Sequence, residues 1–170
     1  MPNTSDNLMS AFAGESQANR KYLAYAEKAE KDGFPQIARV FRAAAAAETV
    51  HAHNHFRTAG QVKNTVDNIK DAISGEHYEF TSMYPAYLED AKKEGNKKAE
   101  QTFHWANEVE KIHHRLYTTA LYAAQTGKDL EKREIWICPV CGATFVGPRE
   151  NLDELCPICK TKKDKYMKID

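Results

Sequence analysis

The chain has 170 residues, 24 basic against 24 acidic side chains, and 42% hydrophobic residues. That length allows one good core, or one domain with a small appendage, and the balanced charge gives no electrostatic reason to expect nucleic acid or an anionic membrane as a partner. The opening MPNTSDNLMS is polar, and no stretch approaches the ~18 consecutive apolar residues of a membrane span, so a soluble cytoplasmic protein is expected.

Residues 6–126 contain only two prolines, Pro35 and Pro85, and are dense in Ala, Glu, Lys and Leu. Breaks at KDGFP (31–35), AGQVKN (59–64), KKEGNKK (92–98) and QTGKD (125–129) divide this region into four predicted helices, roughly 6–30, 35–59, 65–94 and 96–126. Ser5 or Asp6 is placed to cap the first and Thr65 the third, while Gly60 and Gly127 are natural stops. Pro85 removes a backbone donor near Glu79, so a local distortion is expected there.

Spacing at three and four residues marks one inward stripe per helix. The first reads Leu8, Phe12, Glu15, Ala18 or Asn19, Tyr22 and Ala26; the second reads Ile37, Phe41, Ala44, Glu48, His51 and His55. The third reads Ile69, Ile73, Glu76, Phe80, Met83 and Tyr87; the fourth reads Ala99, Phe103, Ala106, Glu110, His113, Tyr117, Ala120 and Ala124. These are the stripes of helices in a bundle. Each carries a glutamate near its middle, which a bundle interior does not ordinarily tolerate.

Residues three apart on a helix lie about 60° from each other, so both can address one ion. Glu48 with His51, and Glu110 with His113, are two such Glu-x-x-His pairs. Glu15 and Glu76 bring carboxylates from the other two helices, and Glu79 a fifth. Carboxylates stranded in an apolar interior cost several kcal/mol each and repel one another; bound cations remove both penalties. One Glu from each of two helices with Glu-x-x-His from each of the others is the ligand pattern of carboxylate-bridged di-metal bundles. His53 sits at the wrong angle from Glu48, and His77, His104 and His114 lie off the stripes, so these are read as solvated. His55 is read as structural, and the alanines at 43–47 as permitting close helix approach.

After Gly127 the texture changes to short, turn-rich sequence. The four cysteines form CPVC (138–141) and CPIC (156–159), separated by 14 residues. Two CxxC knuckles can hold one tetrahedral metal, a strong signal that by itself leaves iron and zinc open. Trp136, Phe145 and Tyr166 are available to cover such a centre. The expected division is a four-helix bundle over residues 1–130 and a small metal-stapled domain with short β-strands over 131–170, mainly α overall.

Three stretches, AFAGESQANRKYLAYAEKAEKDGFPQIARVFRAAAAAETVHAHNH, AISGEHYEFTSMYPAYLEDA and FHWANEVEKIHHRLY, together with the CPVC…CPIC tail, resemble the rubrerythrin family over nearly the whole chain. The resemblance implies a ferritin-like di-iron bundle fused to a rubredoxin-like iron centre. It further implies that Glu48 and Glu110 bridge two irons, with Glu15 and Glu79 terminal on one and Glu76 and His113 on the other. His51 is similar to the ligand that replaces the carboxylate at Glu79 in the reduced state, and Tyr22 and Tyr84 hold the places of tyrosines that hydrogen-bond ligand carboxylates. Cys138, Cys141, Cys156 and Cys159 would hold one further iron.

The expected activity is reduction of hydrogen peroxide to water, with electrons relayed through the cysteine-bound iron from a separate NAD(P)H-dependent reductase or a rubredoxin. No GxGxxG loop occurs, so the chain is not expected to bind the nicotinamide itself. The competing reading is an oxidase or ferroxidase of the same fold. Length also bears on assembly: in ferritin-like bundles the second and third helices run parallel, and the return from His51 to Glu76 is roughly 28 Å of helix. Residues 60–64 reach at most about 20 Å. A third helix starting near Thr65 therefore implies a homodimer exchanging helix pairs; an extended crossover over 60–74 would let each subunit stay complete.

Overall fold

The computed structural model describes residues 3–170, which divide into two compact units, one ending at Lys63 and the other running from Asn64 to Asp170.

The first unit is a helical hairpin. Helix α1 (Thr4–Lys31) begins before either expected cap, Ser5 or Asp6. Asn3 accepts from the Asp6 N–H while Asp6 accepts from the Asn3 N–H, a reciprocal capping box. It stops at Gly33, whose φ of +85° suits a residue without Cβ, and the Phe34 N–H returns to the Ala29 carbonyl. Helix α2 (Pro35–Thr58) opens with proline at its first position, where no N–H is needed. The line of α2 that is fully buried is Ala38, Ala45 and Ala52, spaced by seven. The expected stripe is offset from it by one residue: Phe41, Ala44 and Glu48 are half-buried, and Ile37 and His51 are exposed. Small side chains at sevenfold spacing let the two backbones approach closely, so of the alanine run Ala45 makes the closest packing. Asn19 ties the pair by donating to the Ala45 carbonyl (2.7 Å) and to Thr49 Oγ1 (2.8 Å).

The second unit starts with α3 (Thr65–Tyr78), capped by Asn64, which accepts from the Asp67 N–H. Its start at Thr65 agrees with the helical alternative for residues 65–74 and not with an extended crossover. A π-helical turn over Glu79–Met83 then leads into α4 (Tyr84–Lys93), with Pro85 at its second residue. The distortion expected from Pro85 is this turn. Helix α5 (Lys97–Gln125) packs against α3, the π turn and α4.

The tail is a three-stranded antiparallel sheet in the order β2–β1–β3: β1 is Ile135–Ile137, β2 Thr144–Val146 and β3 Met167–Ile169. Trp136 stands opposite Phe145 on one side and Lys168 on the other. Its core joins Trp136, Cys138, Ala143, Leu152, Cys156 and Tyr166 to Val109 of α5, with Ile112, Phe145 and Ile158 against them. The strands alone are too short to bury a core, so helix α5 and the cysteine cluster complete it. No helix among the described residues is long and apolar enough to cross a membrane.

Candidate metal centres

Three groups of side chains bring metal-ligating atoms together within 4.8 Å of one another: Glu15, Glu48 and His51; Glu76, Glu110 and His113; and the four cysteines. The first lies wholly in the α1–α2 hairpin. The second spans α3 and α5. The two Glu-x-x-His pairs have the same local geometry, His51 Nδ1 at 2.8 Å from Glu48 Oε2 and His113 Nδ1 at 2.8 Å from Glu110 Oε2. In each, Nδ1 faces the carboxylates.

The second group is electrostatically crowded. Burial pushes the Glu76 carboxyl up to about 7, assisted by its hydrogen bond with Glu110 and by the negative charge of Glu110, with partial relief from His113. Burial and the Glu110 charge also raise Glu79. His113 is held protonated above its usual range by the hydrogen bond to Glu110, against the effect of burial. Carboxyls raised by burial and by a neighbouring carboxylate's charge are a donor set matched to a cation. The residues present fit an oxygen- and nitrogen-ligated iron site.

Tyr84 lies off the stripe that spacing marks on the third helix. At about 100° per residue an α-helix would set it roughly 140° round from Glu79. The Tyr84 N–H instead bonds the Glu79 carbonyl, an i to i+5 turn that brings the two closer round the helix. The Tyr84 phenol is raised by burial and then by the charges of Glu79, Glu110 and Glu76. Tyr22 packs near Tyr25 and Phe41, with ring centroids 6.3 Å from each. His53 and His104 are exposed, as expected, and His55 is half-buried. His77 is exposed as well, while His114 is half-buried; both meet the Phe80 ring edge-on between α3 and α5.

In the tail the two knuckles repeat one geometry. The Cys138 N–H bonds the Ala143 carbonyl and the Gly142 N–H the Cys138 carbonyl; the Cys156 N–H bonds the Thr161 carbonyl and the Lys160 N–H the Cys156 carbonyl. Gly142 (φ +84°) and Lys160 (φ +63°) occupy the same left-handed position, and Lys160 is the one non-glycine residue with positive φ among the described residues. Sulfur separations of 3.5 Å for Cys138–Cys159 and 3.6 Å for Cys141–Cys156 exclude disulfides. They approach the ~3.8 Å edge of a tetrahedron whose metal–sulfur bonds are ~2.3 Å. Burial alone would raise the Cys156 thiol, but the backbone N–H groups of Cys159 and Ile158 and the Tyr166 hydroxyl bring it down to about 6. Burial pushes Cys141 and Tyr166 up.

Sequence reasoning missed Thr144. Its hydroxyl lies 3.1 Å from His113 Nε2 and 3.2 Å from the Gly142 carbonyl. No local pattern marks it, because its partner is 31 residues away on α5. Asn107 was missed as well: it is buried on α5, and its Oδ1 has no hydrogen-bond partner.

Helices of the ferritin-like kind carrying paired Glu-x-x-His groups, followed by a small β-domain with four clustered cysteines, define a protein with a di-iron-type site and a rubredoxin-like site. The rubrerythrin family model matches residues 6–121. Rubrerythrin-2 of Clostridium acetobutylicum is 44% identical, covering 96% of this chain and 95% of its own length. Nigerythrin of Nitratidesulfovibrio vulgaris is 36% identical over 96% of this chain and 85% of its own. Among solved structures, fully reduced, all-ferrous nigerythrin aligns over 99% of this chain and 88% of its own, with a TM-score of 0.58 and 31% identity. The chain belongs to the rubrerythrin family. It is an oxidoreductase of the peroxidase type.

Proposed function

We propose that this chain reduces hydrogen peroxide to water at a di-iron site that Glu15, Glu48, Glu76, Glu79, Glu110 and His113 would hold, with His51 as the alternative ligand to Glu79. The observation that carries this reading is that each Glu-x-x-His pair gathers with a further glutamate so that the ligand atoms of each group lie within 4.8 Å. When bound, the paired irons supply the two electrons that cleavage of the O–O bond consumes.

The chain's own residues supply ligands, order and protons. Glu48 and Glu110, the less exposed members of their pairs, would be the carboxylates shared by the two metals (side chains 19% and 14% exposed). Two waters formed from one peroxide require two protons, and Glu79, whose carboxyl is raised, is placed to hold and pass one. Tyr84 keeps its phenolic proton at neutral pH and so can donate to a ligand carboxylate beside it. Tyr22 is assigned the same role on the hairpin side. Within its own hairpin the His51 side chain is 53% exposed, so no contact of that unit fixes the ring. Cys138, Cys141, Cys156 and Cys159 hold the single iron that relays electrons from an external NAD(P)H-dependent reductase or a rubredoxin. We assign the bundle to residues 1–130 and the relay domain to 131–170, in a cytoplasmic protein whose cysteines, none of them in a disulfide, suit a reducing compartment.

We further infer a homodimer exchanging helix pairs. Helix α2 ends at Thr58 and α3 begins at Thr65, so residues 59–64 are the link, and a link of that length reaches at most about 22 Å. The parallel return from His51 to Glu76 needs roughly 28 Å. Each half-site would then meet its complement in the other subunit.

Anaerobic stopped-flow tests the chemistry: peroxide is expected to oxidise the diferrous protein far faster than dioxygen does. Comparable rates would make the chain an oxidase or ferroxidase. For the assembly, a heterodimer of a Glu48→Ala chain with a Glu110→Ala chain regains one intact site if helix pairs are exchanged, and half the parental activity with it. Without exchange it stays inactive.

A further inference from the structure

We propose that Thr144 is a positioning residue through which the cysteine-knuckle domain orients His113 of its own chain for metal binding. The inference rests on the reading that Glu76, Glu110 and His113 hold a metal.

The hydrogen-bond inventory fixes the direction of every proton in the chain of contacts. The Gly142 carbonyl can only accept, so the Thr144 hydroxyl, 3.2 Å away, donates to it. With its single proton committed, that hydroxyl accepts from the next partner, His113 Nε2, at 3.1 Å. Nε2 is therefore the protonated nitrogen, and Nδ1, 2.8 Å from Glu110 and 3.8 Å from Glu76, is the one that offers a lone pair to a cation. A cation held there would take the place of the proton that joins Nδ1 to Glu110. A ligating histidine whose other nitrogen donates to a fixed acceptor is held in one tautomer and one ring orientation.

The acceptor is itself well fixed. Thr144 opens β2, paired with Ile137, and follows the knuckle turn that the Gly142 N–H closes onto the Cys138 carbonyl. Val109, one turn before His113 on α5, lies in the same core as Cys138, Cys156 and Trp136. A Cβ added at Gly142 would meet Val109 Cγ1 at 3.7 Å, so knuckle and helix are in van der Waals range at this point. The small domain thus serves as an outer wall of the Glu76–Glu110–His113 group as well as an electron relay, and its folding sets the ring of a bundle ligand.

The test uses the full chain with zinc in both kinds of site, which keeps it diamagnetic. In the unsubstituted protein, long-range proton–nitrogen spectra should show His113 as the Nε2–H tautomer, with that proton exchanging far more slowly than one on exposed His53. An Nδ1–H tautomer, or exchange as fast as that of His53, overturns the proposal without any variant. Thr144→Val keeps the shape and removes the acceptor; zinc affinity of the bundle group should fall about tenfold or more. Thr144→Ser should restore it. The visible bands of the iron-loaded cysteine centre report independently that the tail of each variant is folded. Unchanged affinity in a folded Thr144→Val protein would sink the assignment of Thr144. Loss of the underlying reading looks different: Glu110→Ala would then leave the metal content of the bundle unaltered.

Discussion

The two Glu-x-x-His groups are locally the same and differ in their surroundings. Both set Nδ1 at 2.8 Å from the glutamate three residues earlier, which helical spacing places on the same face. The side chain of His51 on α2 is 53% exposed. The His113 side chain on α5 is 29% exposed, with its far nitrogen against Thr144. One motif thus yields a ligand that its own unit leaves uncovered and a ligand that its own unit backs from behind. The lesson is that a spacing rule names candidate ligands, while the packing behind each ring decides how permanently it serves.

The largest expected effect separates the two histidines. His113→Ala should lower metal affinity of the bundle by about a hundredfold, since it removes a ligand already oriented from behind, whereas His51→Ala should lose less than about tenfold in the oxidised protein. Metal analysis after dialysis at graded free-metal concentration reads both values. Equal losses would erase the distinction between exchangeable and fixed ligands.

A smaller effect is expected on the hairpin alone. Ala45 is 1% exposed where α2 meets α1, and Ala45→Leu should overpack that contact by about 1–3 kcal/mol. Denaturant unfolding should show the loss while the visible absorption of the cysteine-bound iron stays unchanged. A joint loss would mean that the two units do not unfold separately.

The smallest effect concerns pH, and it sharpens the contrast in charge. In the metal-free protein Glu76 titrates near 7 instead of in the usual carboxylate range, so its contribution to stability is full below about 4.5 and fades as pH rises through 7. His113, also raised, contributes in the same direction: its share is full below its unfolded value of about 6.5 and is lost above its folded one. Stability of the chelated protein should therefore decline from pH 4.5 to above 7, and Glu110→Gln should flatten the slope. A rise over that range would show that Glu76 is not crowded by Glu110.

Much of this was legible in residue order. Helix limits followed from Gly33, Gly60, Gly95 and Gly127, the ligand pairs from three-residue spacing, and the tail from two CxxC knuckles, because each depends on neighbours within a turn or two. The offset in α2 was not legible. Ile37 and Phe41 carry the apolar signal, yet Ala38, Ala45 and Ala52 are buried, since a close helix contact selects small side chains that hydrophobicity does not distinguish. Tyr84 escaped the stripe because a π turn changed the angular count.

Local sequence, then, determined the helices, the Glu-x-x-His pairs and the cysteine knuckles, all of which follow from backbone periodicity and side-chain chemistry within a few positions. Tertiary structure alone decided which histidine its own unit leaves exposed and which is backed by Thr144, and that the crowding expected of the carboxylates falls most heavily on Glu76 beside Glu110. Those outcomes depend on contacts between residues 31 and 34 positions apart, where proximity is set by how α5 packs and not by any pattern along the chain.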